Sequence, residues 1–172
     1  MFKDTNFESY SQQSEASIKR KVEAEKAEGK DCKPKDLKDI VRTTIIVPRS
    51  AIEGVIKDLS TTKHFLRYKP QSGSAFLGYS GNIINVLISN GLVAEIQVNT
   101  PKMIYAKEQP DVAKKILGEK VWNEIRKQTG TEGGFGHMYY EEYRKLSKEE
   151  QNSEKGLAIK KESENYYSHF TK

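Results

Sequence analysis

Residues 82–89 and 92–99 read NIINVLIS and LVAEIQVN, and these two runs decide the fold. Both are dense in β-branched and aliphatic side chains, which favour strands. The dipeptide between them, Asn90-Gly91, is the pair that best fits a type I′ hairpin turn. The sequence therefore predicts an antiparallel β-hairpin over residues 82–99.

Two further strands and a helix are predicted before this hairpin. Residues 40–47 are rich in β-branched side chains and end at Pro48, which favours a strand. Ser50 and Glu53 have the spacing of a capping box, so we expect a helix from there to about Leu59 with its apolar residues on one face. Residues 63–69 are predicted to form a short strand.

Helices are predicted after the hairpin. Thr100 caps the first of them and Pro101 opens it, since proline suits the first helical position. Another helix is expected from about Asp111 to Lys127. A tyrosine-rich helix should follow over residues 137–146, after a glycine-containing loop that we expect to be flexible. This order of elements predicts an α+β fold, close to α/β, with a central mixed sheet of about four to five strands flanked by helices.

The composition limits the class of protein. The 172 residues fit a single domain over 1–172, with a polar and solvated helical tail at 147–172. No apolar run reaches the roughly 18–20 residues of a membrane span, so we expect neither a span nor a secretory signal. The lone Cys32 excludes an internal disulfide framework, and the net charge of +5 favours nucleotides or nucleic acids as partners.

Glu95 is the only charged residue of the predicted hairpin. Strand alternation places it on the same face as Gln97 and Asn99. Two interpretations are open: the solvated side of an antiparallel sheet, or a carboxylate held rigidly beside two amides as a metal ligand or general base. A solvated face would more usually carry lysine or arginine, which favours the second interpretation.

Asp39 and a basic run are further candidates for chemistry. Asp39 stands just before the strand at 40–47. It is either a turn residue or the partner of Glu95 in a pair of carboxylates for Mg²⁺ and substrate phosphates. The run Ser17-Ile18-Lys19-Arg20-Lys21 is either a solvated helix face or a clamp for triphosphate oxygens.

Tyr79 and His137 also stand in suggestive settings. Tyr79 lies between Gly78 and Gly81 in the loop that enters the hairpin, where its ring either packs locally or stacks on a nucleobase. His137 lies in the run GHMYY, whereas three scattered histidines and one cysteine do not form a zinc site.

These segments, taken in order, resemble the synthetase domain of the RelA/SpoT family, the enzymes that make the alarmone (p)ppGpp. The resemblance covers about residues 14–146. Its pieces are Ser17-Ile18-Lys19-Arg20-Lys21, Asp39-Ile40-Val41, Gly78-Tyr79, the run Glu95–Thr100 with Met103 and Ala106, and the run Gly136–Tyr140.

The resemblance implies a nucleotidyltransferase-like fold and an ATP-dependent pyrophosphokinase. Such a transferase moves the β,γ-pyrophosphate of ATP to a ribose hydroxyl of a nucleotide and releases AMP. Glu95 and Asp39 would be the catalytic residues and the ligands of Mg²⁺. The residues implied to bind the phosphates of ATP are Ser17, Lys19, Arg20, Lys21, Arg42, Arg67 and Lys69. Those implied to bind the acceptor are Tyr79, Gln97, Asn99 and His137.

The chain departs from the family pattern mainly around the acceptor and adenine pockets. Arg42 and Thr44 stand where glycine and arginine are usual, Ile83 replaces a histidine, and Asn99 stands where arginine is common. These departures fit a toxin-like branch that pyrophosphorylates other acceptors, such as adenine nucleotides or the 3′ end of tRNA. The acceptor therefore stays open between GDP or GTP, an adenine nucleotide, and tRNA. The alternatives from other classes are a catalytically inactive nucleotide- or RNA-binding module of the same fold and a bare RNA-binding domain.

A toxin-like branch has implications for partners and location. We expect action in the cytoplasm, where ATP is available. The sequence leaves open whether the chain is delivered as part of a secreted toxin, and a neutralising antitoxin or immunity protein is a candidate partner. No membrane partner is expected, and the sequence leaves the oligomeric state open.

Overall fold

The chain adopts an α+β fold, as predicted. The computed structural model describes residues 7–8, 15–34, 37, 40–89 and 91–171. The strands in these ranges are β1 (Phe7–Glu8), β2 (Val41–Ile46), β3 (Phe65–Gln71), β4 (Gly81–Leu87) and β5 (Val93–Asn99). The helices are α1 (Glu15–Ala27), α2 (Ile52–Ser60), α3 (Pro101–Lys107), α4 (Pro110–Leu117), α5 (Glu119–Thr129), α6 (Phe135–Arg144), α7 (Lys148–Gln151) and α8 (Glu154–Ser168).

The strands form one sheet in the order β1-β2-β5-β4-β3. β1 pairs antiparallel with β2, and β4 pairs antiparallel with β5. The predicted hairpin is therefore confirmed, with Asn85 opposite Glu95 and Leu87 opposite Val93. Because β5 lies between β2 and β4, the polar residues of β5 have hydrogen-bonded neighbours on both sides.

The turn of the hairpin differs from the prediction. The Ile88 N–H donates to the Leu92 carbonyl at 2.9 Å, and the Gly91 N–H donates to the Ile88 carbonyl at 2.9 Å. Three residues, rather than the two of a type I′ turn, therefore join the paired positions; Asn90 lies outside the described residues. The loop is one residue longer because Ile88 pairs with Leu92, which leaves residues 89–91 between them. Three-residue loops that end on a glycine are the next most common hairpin connections.

The described chain divides into two compact units. The sheet unit comprises Met1–Lys69 and Asn82–Val98, and the helical unit comprises Pro70–Gly81 and Asn99–Lys172. The single domain over 1–172 stays a prediction.

The core of the sheet unit forms between the sheet and α2. Ile45, Val47, Ile84 and Val98 pack with Val55 of α2, and Ile52, Ile56 and Leu59 cover them partly, as the predicted apolar face requires. The predicted capping box is wrong, however. A 3₁₀ turn, Arg49–Ala51, precedes the helix, and the N-cap is Ala51 without a side-chain hydrogen bond, so Ser50 falls inside that turn.

Two local signals in the helical unit have different outcomes. Thr100 caps α3 as predicted: its side chain accepts a hydrogen bond from the Met103 N–H, and Pro101 takes the first turn. The single helix expected over 111–127 is wrong, because α4 ends and α5 begins at Gly118. Gly118 has φ +77°, a conformation that only glycine adopts readily, and it breaks an otherwise continuous apolar pattern.

The expected solvated tail at 147–172 is helical but is not uniformly solvated. Its residues Tyr166, Tyr167 and Phe170 are 7%, 3% and 2% exposed and belong to the core of the helical unit, beside Tyr105 and Trp122. The charged residues at 154–164 hid this signal, because the buried aromatic side chains of the tail lie only at and beyond the end of α8. The tail is therefore a structural part of the helical unit.

The glycine-containing loop before α6 is packed, contrary to the expectation of flexibility. A Cβ on Gly133 would lie 2.5 Å from the Tyr105 carbonyl oxygen, and one on Gly136, in the first turn of α6, would collide with the Tyr167 hydroxyl. These glycines permit close approach of the backbone to the aromatic core.

Candidate active site

Glu95 is buried at the centre of the sheet. It is 8% exposed, and its Oε1 lies 3.0 Å from Nε of Arg42 on β2. Gln97, two residues along β5, donates from Nε2 to the same Oε1 at 2.8 Å. The solvated-face interpretation does not hold for Glu95. A buried carboxylate is costly unless it is paired, and here a guanidinium compensates its charge and an amide donates to it.

The sheet continues this polar row on the other side of Glu95. Asn85 lies directly opposite Glu95 on β4 and is 2% exposed. Its Oδ1 accepts two hydrogen bonds from Arg67 on β3, from Nε at 3.2 Å and from Nη2 at 2.8 Å. Polar side chains from β2, β5, β4 and β3 thus lie side by side, in the order Arg42, Glu95, Asn85, Arg67.

Sequence reasoning missed Asn85. The available signal was an amide inside an aliphatic strand, between Ile84 and Val86, where an uncharged polar residue has to find a partner once it is buried. The sequence does not show which residue lies opposite until the hairpin register is known.

The other cations predicted to bind phosphate are more dispersed. Lys19 and Arg20 are exposed on α1, Lys21 is half-buried there, and Lys69 is exposed on β3. The hydrogen bonds and ion pair above place Arg42 and Arg67 in the row around Glu95, whereas convergence of the four other cations on it stays a prediction.

The predicted metal pair is described only in part. Asp39 and the side chain of Ser17 lie outside the described part of the chain. Within that part, no group of three or more histidine, cysteine, aspartate or glutamate side chains could hold a metal. Mg²⁺ is commonly held by one or two carboxylates together with substrate phosphates, so Glu95 alone among the described residues of this row is a suitable donor.

Tyr79 and Asn99 meet within the helical unit. The Tyr79 hydroxyl donates to Oδ1 of Asn99 at 2.5 Å, and Asn99 is 1% exposed. The Tyr79 ring packs edge-on against Tyr167 at a centroid distance of 5.8 Å, and Nζ of Lys107 lies 5.8 Å from its centroid. Tyr79 therefore packs locally against its neighbours, while stacking of its ring on a base stays a prediction.

His137 lies on α6 with its side chain 55% exposed, 3.6 Å from a carboxylate oxygen of Glu141. Its ring lies 6.4 Å from the ring of Tyr140 on the same helix. Its role as an acceptor ligand stays a prediction.

The marked pKa shifts of the helical unit belong to buried tyrosines. Burial raises the pKa of Tyr167 far above its ordinary value, with smaller contributions from the neighbouring Tyr79, Tyr166 and Glu108. Burial likewise raises the pKa of Tyr166, whose hydroxyl donates to the Ala106 carbonyl at 2.9 Å. Both hydroxyls are therefore neutral at physiological pH.

Known proteins resemble this chain in sequence and in fold. No protein-family model matches it. It is 38% identical over 135 residues to the (p)ppApp synthetase toxin Tas1 of Pseudomonas aeruginosa (strain UCBPP-PA14); the match covers 78% of this chain and 30% of the toxin. The chain thus spans under a third of the length of this curated relative.

Solved structures resemble this chain over nearly its whole length. A GTP pyrophosphokinase family protein from Streptococcus pneumoniae matches with a TM-score of 0.52 and 17% identity, over 95% of this chain and 68% of the other, which shows a common fold. The type VI effector Tas1, solved in complex with its immunity protein, matches with a TM-score of 0.81 and 32% identity, over 96% of this chain and 81% of the other.

The fold is that of the nucleotide pyrophosphokinases. The sequence identity shows more than a common fold, because it is 32% and extends over 81% of the solved Tas1 chain. The present chain therefore belongs to the RelA/SpoT-type alarmone synthetase family, in the toxin-like branch that contains Tas1. No helix among the residues that the structure describes is long and apolar enough to cross a membrane.

Proposed function

We propose that this chain is an ATP-dependent pyrophosphokinase that acts on a nucleotide acceptor. The observation that carries the proposal is the buried Glu95, which lies on the central strand of a pyrophosphokinase fold and pairs with Arg42 of the neighbouring strand. An acid at this place, fixed by a guanidinium and an amide, is pre-organised for chemistry rather than for solubility.

The reaction balances as one group transfer. A ribose hydroxyl oxygen of the acceptor forms a bond to the β-phosphorus of ATP, and the bond from that phosphorus to the α,β-bridging oxygen breaks. The bridging oxygen leaves with AMP. Glu95 takes the hydroxyl proton as general base. Arg42 and Arg67 neutralise charge on the transferred phosphates, with Ser17, Lys19, Arg20, Lys21 and Lys69 as further ligands.

Mg²⁺ is the cofactor that this chemistry calls for. Glu95 would hold it together with Asp39, which lies outside the described residues. When bound, it would neutralise the triphosphate and favour a single geometry of the phosphates.

An adenine nucleotide is the acceptor we propose, with Tyr79, Gln97, Asn99 and His137 as its binding residues. Support comes from Tas1, which is named a (p)ppApp synthetase toxin and is 38% identical to this chain. Asn99, in place of the arginine common in the wider family, fits a change of acceptor.

The test is turnover with defined acceptors. The protein is incubated with Mg²⁺, labelled ATP and, separately, ADP, GDP, GTP or deacylated tRNA, and AMP and the labelled products are separated. AMP formation that depends on an adenine nucleotide supports the proposal. Dependence on a guanine nucleotide or tRNA would change the acceptor, and binding without AMP formation would favour an inactive module.

We further propose that the protein acts as a toxin in the cytoplasm and that an immunity protein neutralises it, as the Tas1 complex suggests by analogy. Expression inside bacterial cells should arrest growth and deplete adenine nucleotides. The Glu95→Gln variant should do neither.

A further inference from the structure

Asn85 has no role in the function as proposed so far, yet its surroundings are unusual for a residue of a central strand. It is 2% exposed and lies between aliphatic neighbours on β4. Its Oδ1 accepts from both Nε and Nη2 of Arg67, an exposed residue of the edge strand β3. A buried amide thus fixes an exposed guanidinium.

We propose that Asn85 is a positioning residue, which holds the Arg67 guanidinium where it binds the phosphates of ATP. The inference rests on the proposed function, in which Arg67 is a phosphate ligand. Its new element is that Asn85 acts through Arg67 without touching ATP.

The donor geometry supports this role. A guanidinium has five N–H donors in a rigid, planar fork. Asn85 engages two of them, on the Nε and Nη2 edge, and this defines the plane in which the remaining donors are presented. An arginine without such an anchor keeps its rotamer freedom and has to lose it when phosphate binds.

The position of Asn85 in the row supports it as well. Asn85 is directly opposite Glu95, so the anchored Arg67 and the paired Arg42 lie on either side of the Glu95 carboxylate. Stabilisation of the strand alone would favour an aliphatic residue like the adjacent Ile84 and Val86, because burial of an amide gains little net free energy even when its hydrogen bonds are made.

The test is a double-mutant cycle on binding of ATP. Calorimetric dissociation constants for ATP with Mg²⁺, and for inorganic tripolyphosphate, are measured for wild type, Asn85→Ala, Arg67→Ala and the double variant. We expect each single variant to bind about ten-fold more weakly, as for loss of one charge-assisted contact. The double variant should bind no more weakly than Arg67→Ala, because Asn85 acts only through Arg67.

Asn82→Ala is the matched control. Asn82 is also an asparagine of β4 that accepts a hydrogen bond from β3, from the Tyr68 hydroxyl at 2.8 Å, and it lies three positions from Asn85. Its loss should lower the melting temperature but leave the affinity for ATP unchanged. If Asn85→Ala fails to fold, Asn85→Val replaces it, since valine suits the strand.

Two outcomes overturn the inference: an Asn85 variant that binds tripolyphosphate like wild type, or losses of affinity that add in the double variant. Both readouts are independent of turnover. If the losses of affinity are coupled but the protein releases no AMP, the proposed function is refuted and the role of Asn85 stands. If the protein releases AMP but the losses of affinity add, the role of Asn85 is refuted and the proposed function stands.

Discussion

At the scale of single residues, the proposed chemistry depends on how the Glu95 carboxylate is held. Glu95 is buried, contacts Arg42 on one neighbouring strand and lies opposite Asn85 on the other. Because Arg42 holds it from β2 and Gln97 holds it from its own strand, the carboxylate has a fixed position before any substrate binds. Pre-organisation of this kind is how a scaffold lowers the reorganisation that a reaction requires.

Replacement of Glu95 by glutamine tests its catalytic role. The amide that Glu95→Gln introduces is nearly isosteric with the carboxylate, so the fold should persist, but neither a base nor a metal-binding charge remains. We expect AMP formation to fall by about 10²–10⁴-fold. The matched control is Glu124→Gln, which changes an exposed acid of α5 and should leave the rate unaltered. A Glu95→Gln variant with more than half of the wild-type rate would remove Glu95 from the mechanism.

Tyr79 separates packing from recognition of the acceptor. Tyr79→Phe loses the hydrogen bond to Asn99 but keeps the ring against Tyr167, so its effects on stability and on turnover should be mild. Tyr79→Ala should lower the melting temperature, because the edge-on contact with Tyr167 is lost. It should also raise the KM for the acceptor by the equivalent of about 1–3 kcal/mol if the ring stacks on a base.

The KM for ATP is the control in the Tyr79 experiment. It should barely change in Tyr79→Ala, since the proposed phosphate ligands lie on other elements. Unaltered acceptor kinetics in the alanine variant would refute the stacking role and leave Tyr79 as a packing residue of the helical unit.

At the scale of secondary-structure elements, register and caps determine where the side chains point. In β4 and β5 a slip of one residue would move Glu95 from its polar row to the face that packs on α2. The aliphatic residues on that face oppose such a slip, because it would expose Val98 and bury Glu95 among apolar neighbours. The same apolar pattern that folds the hairpin thus orients the acid.

The cap of α3 gives a prediction at this scale. The Thr100 hydroxyl accepts from the Met103 N–H at 3.2 Å and satisfies a donor that the helix itself cannot. Thr100→Ala should lower the free energy of unfolding by about 1 kcal/mol, measured by urea denaturation. Thr100→Ser keeps the acceptor oxygen and should retain most of the stability. Equal stability of the alanine and serine variants would show that the cap contributes nothing.

At the scale of the whole molecule, each unit has its own core. The sheet unit packs its strands on α2, and the helical unit is built around aromatic side chains from α3, α5 and α8. In the helical unit Tyr105, Trp122 and Tyr166 bring polar atoms into the core, so its stability depends on the two tyrosines remaining neutral and hydrogen-bonded.

The buried tyrosines predict a loss of stability in alkali. Burial raises the pKa of Tyr166 and Tyr167 above the ordinary value of about 10, so the unfolded chain releases these protons at a lower pH than the folded one does. Their contribution is fully present below pH ~10 and is lost as the pH rises beyond it. Each hydroxyl should lower the free energy of unfolding by about 1.4 kcal/mol per pH unit in that window.

Tyr167→Phe is the variant that tests this pH dependence. It removes one ionisable hydroxyl, so the free energy of unfolding should fall less steeply above pH ~10 than in wild type. Tyr140→Phe, at a position that is 51% exposed, should follow the wild-type curve. Identical slopes for the Tyr167→Phe variant and wild type would refute a raised pKa for Tyr167.

Local sequence signals determined most of the elements. The strands β2 to β5, the apolar face of α2, the cap at Thr100 and the α+β order follow from side-chain shape, alternation and turn chemistry, which act within a few residues. The same signals were wrong where a competing local geometry prevailed: a 3₁₀ turn at Ser50, a three-residue loop at Gly91 and a helix break at Gly118. The resemblance of short motifs identified the family and named Glu95 as the central acid.

Tertiary structure alone decided how those residues are used. The pairing of Arg42 with Glu95, the anchoring of Arg67 by Asn85 and the hydrogen bond from Tyr79 to Asn99 each join positions 18 or more residues apart in the chain. Such contacts depend on strand order, register and packing, which no local pattern encodes. The burial of Tyr166 and Tyr167 has the same origin. These two side chains are buried because they pack against Tyr105 and Trp122, which are distant in the sequence.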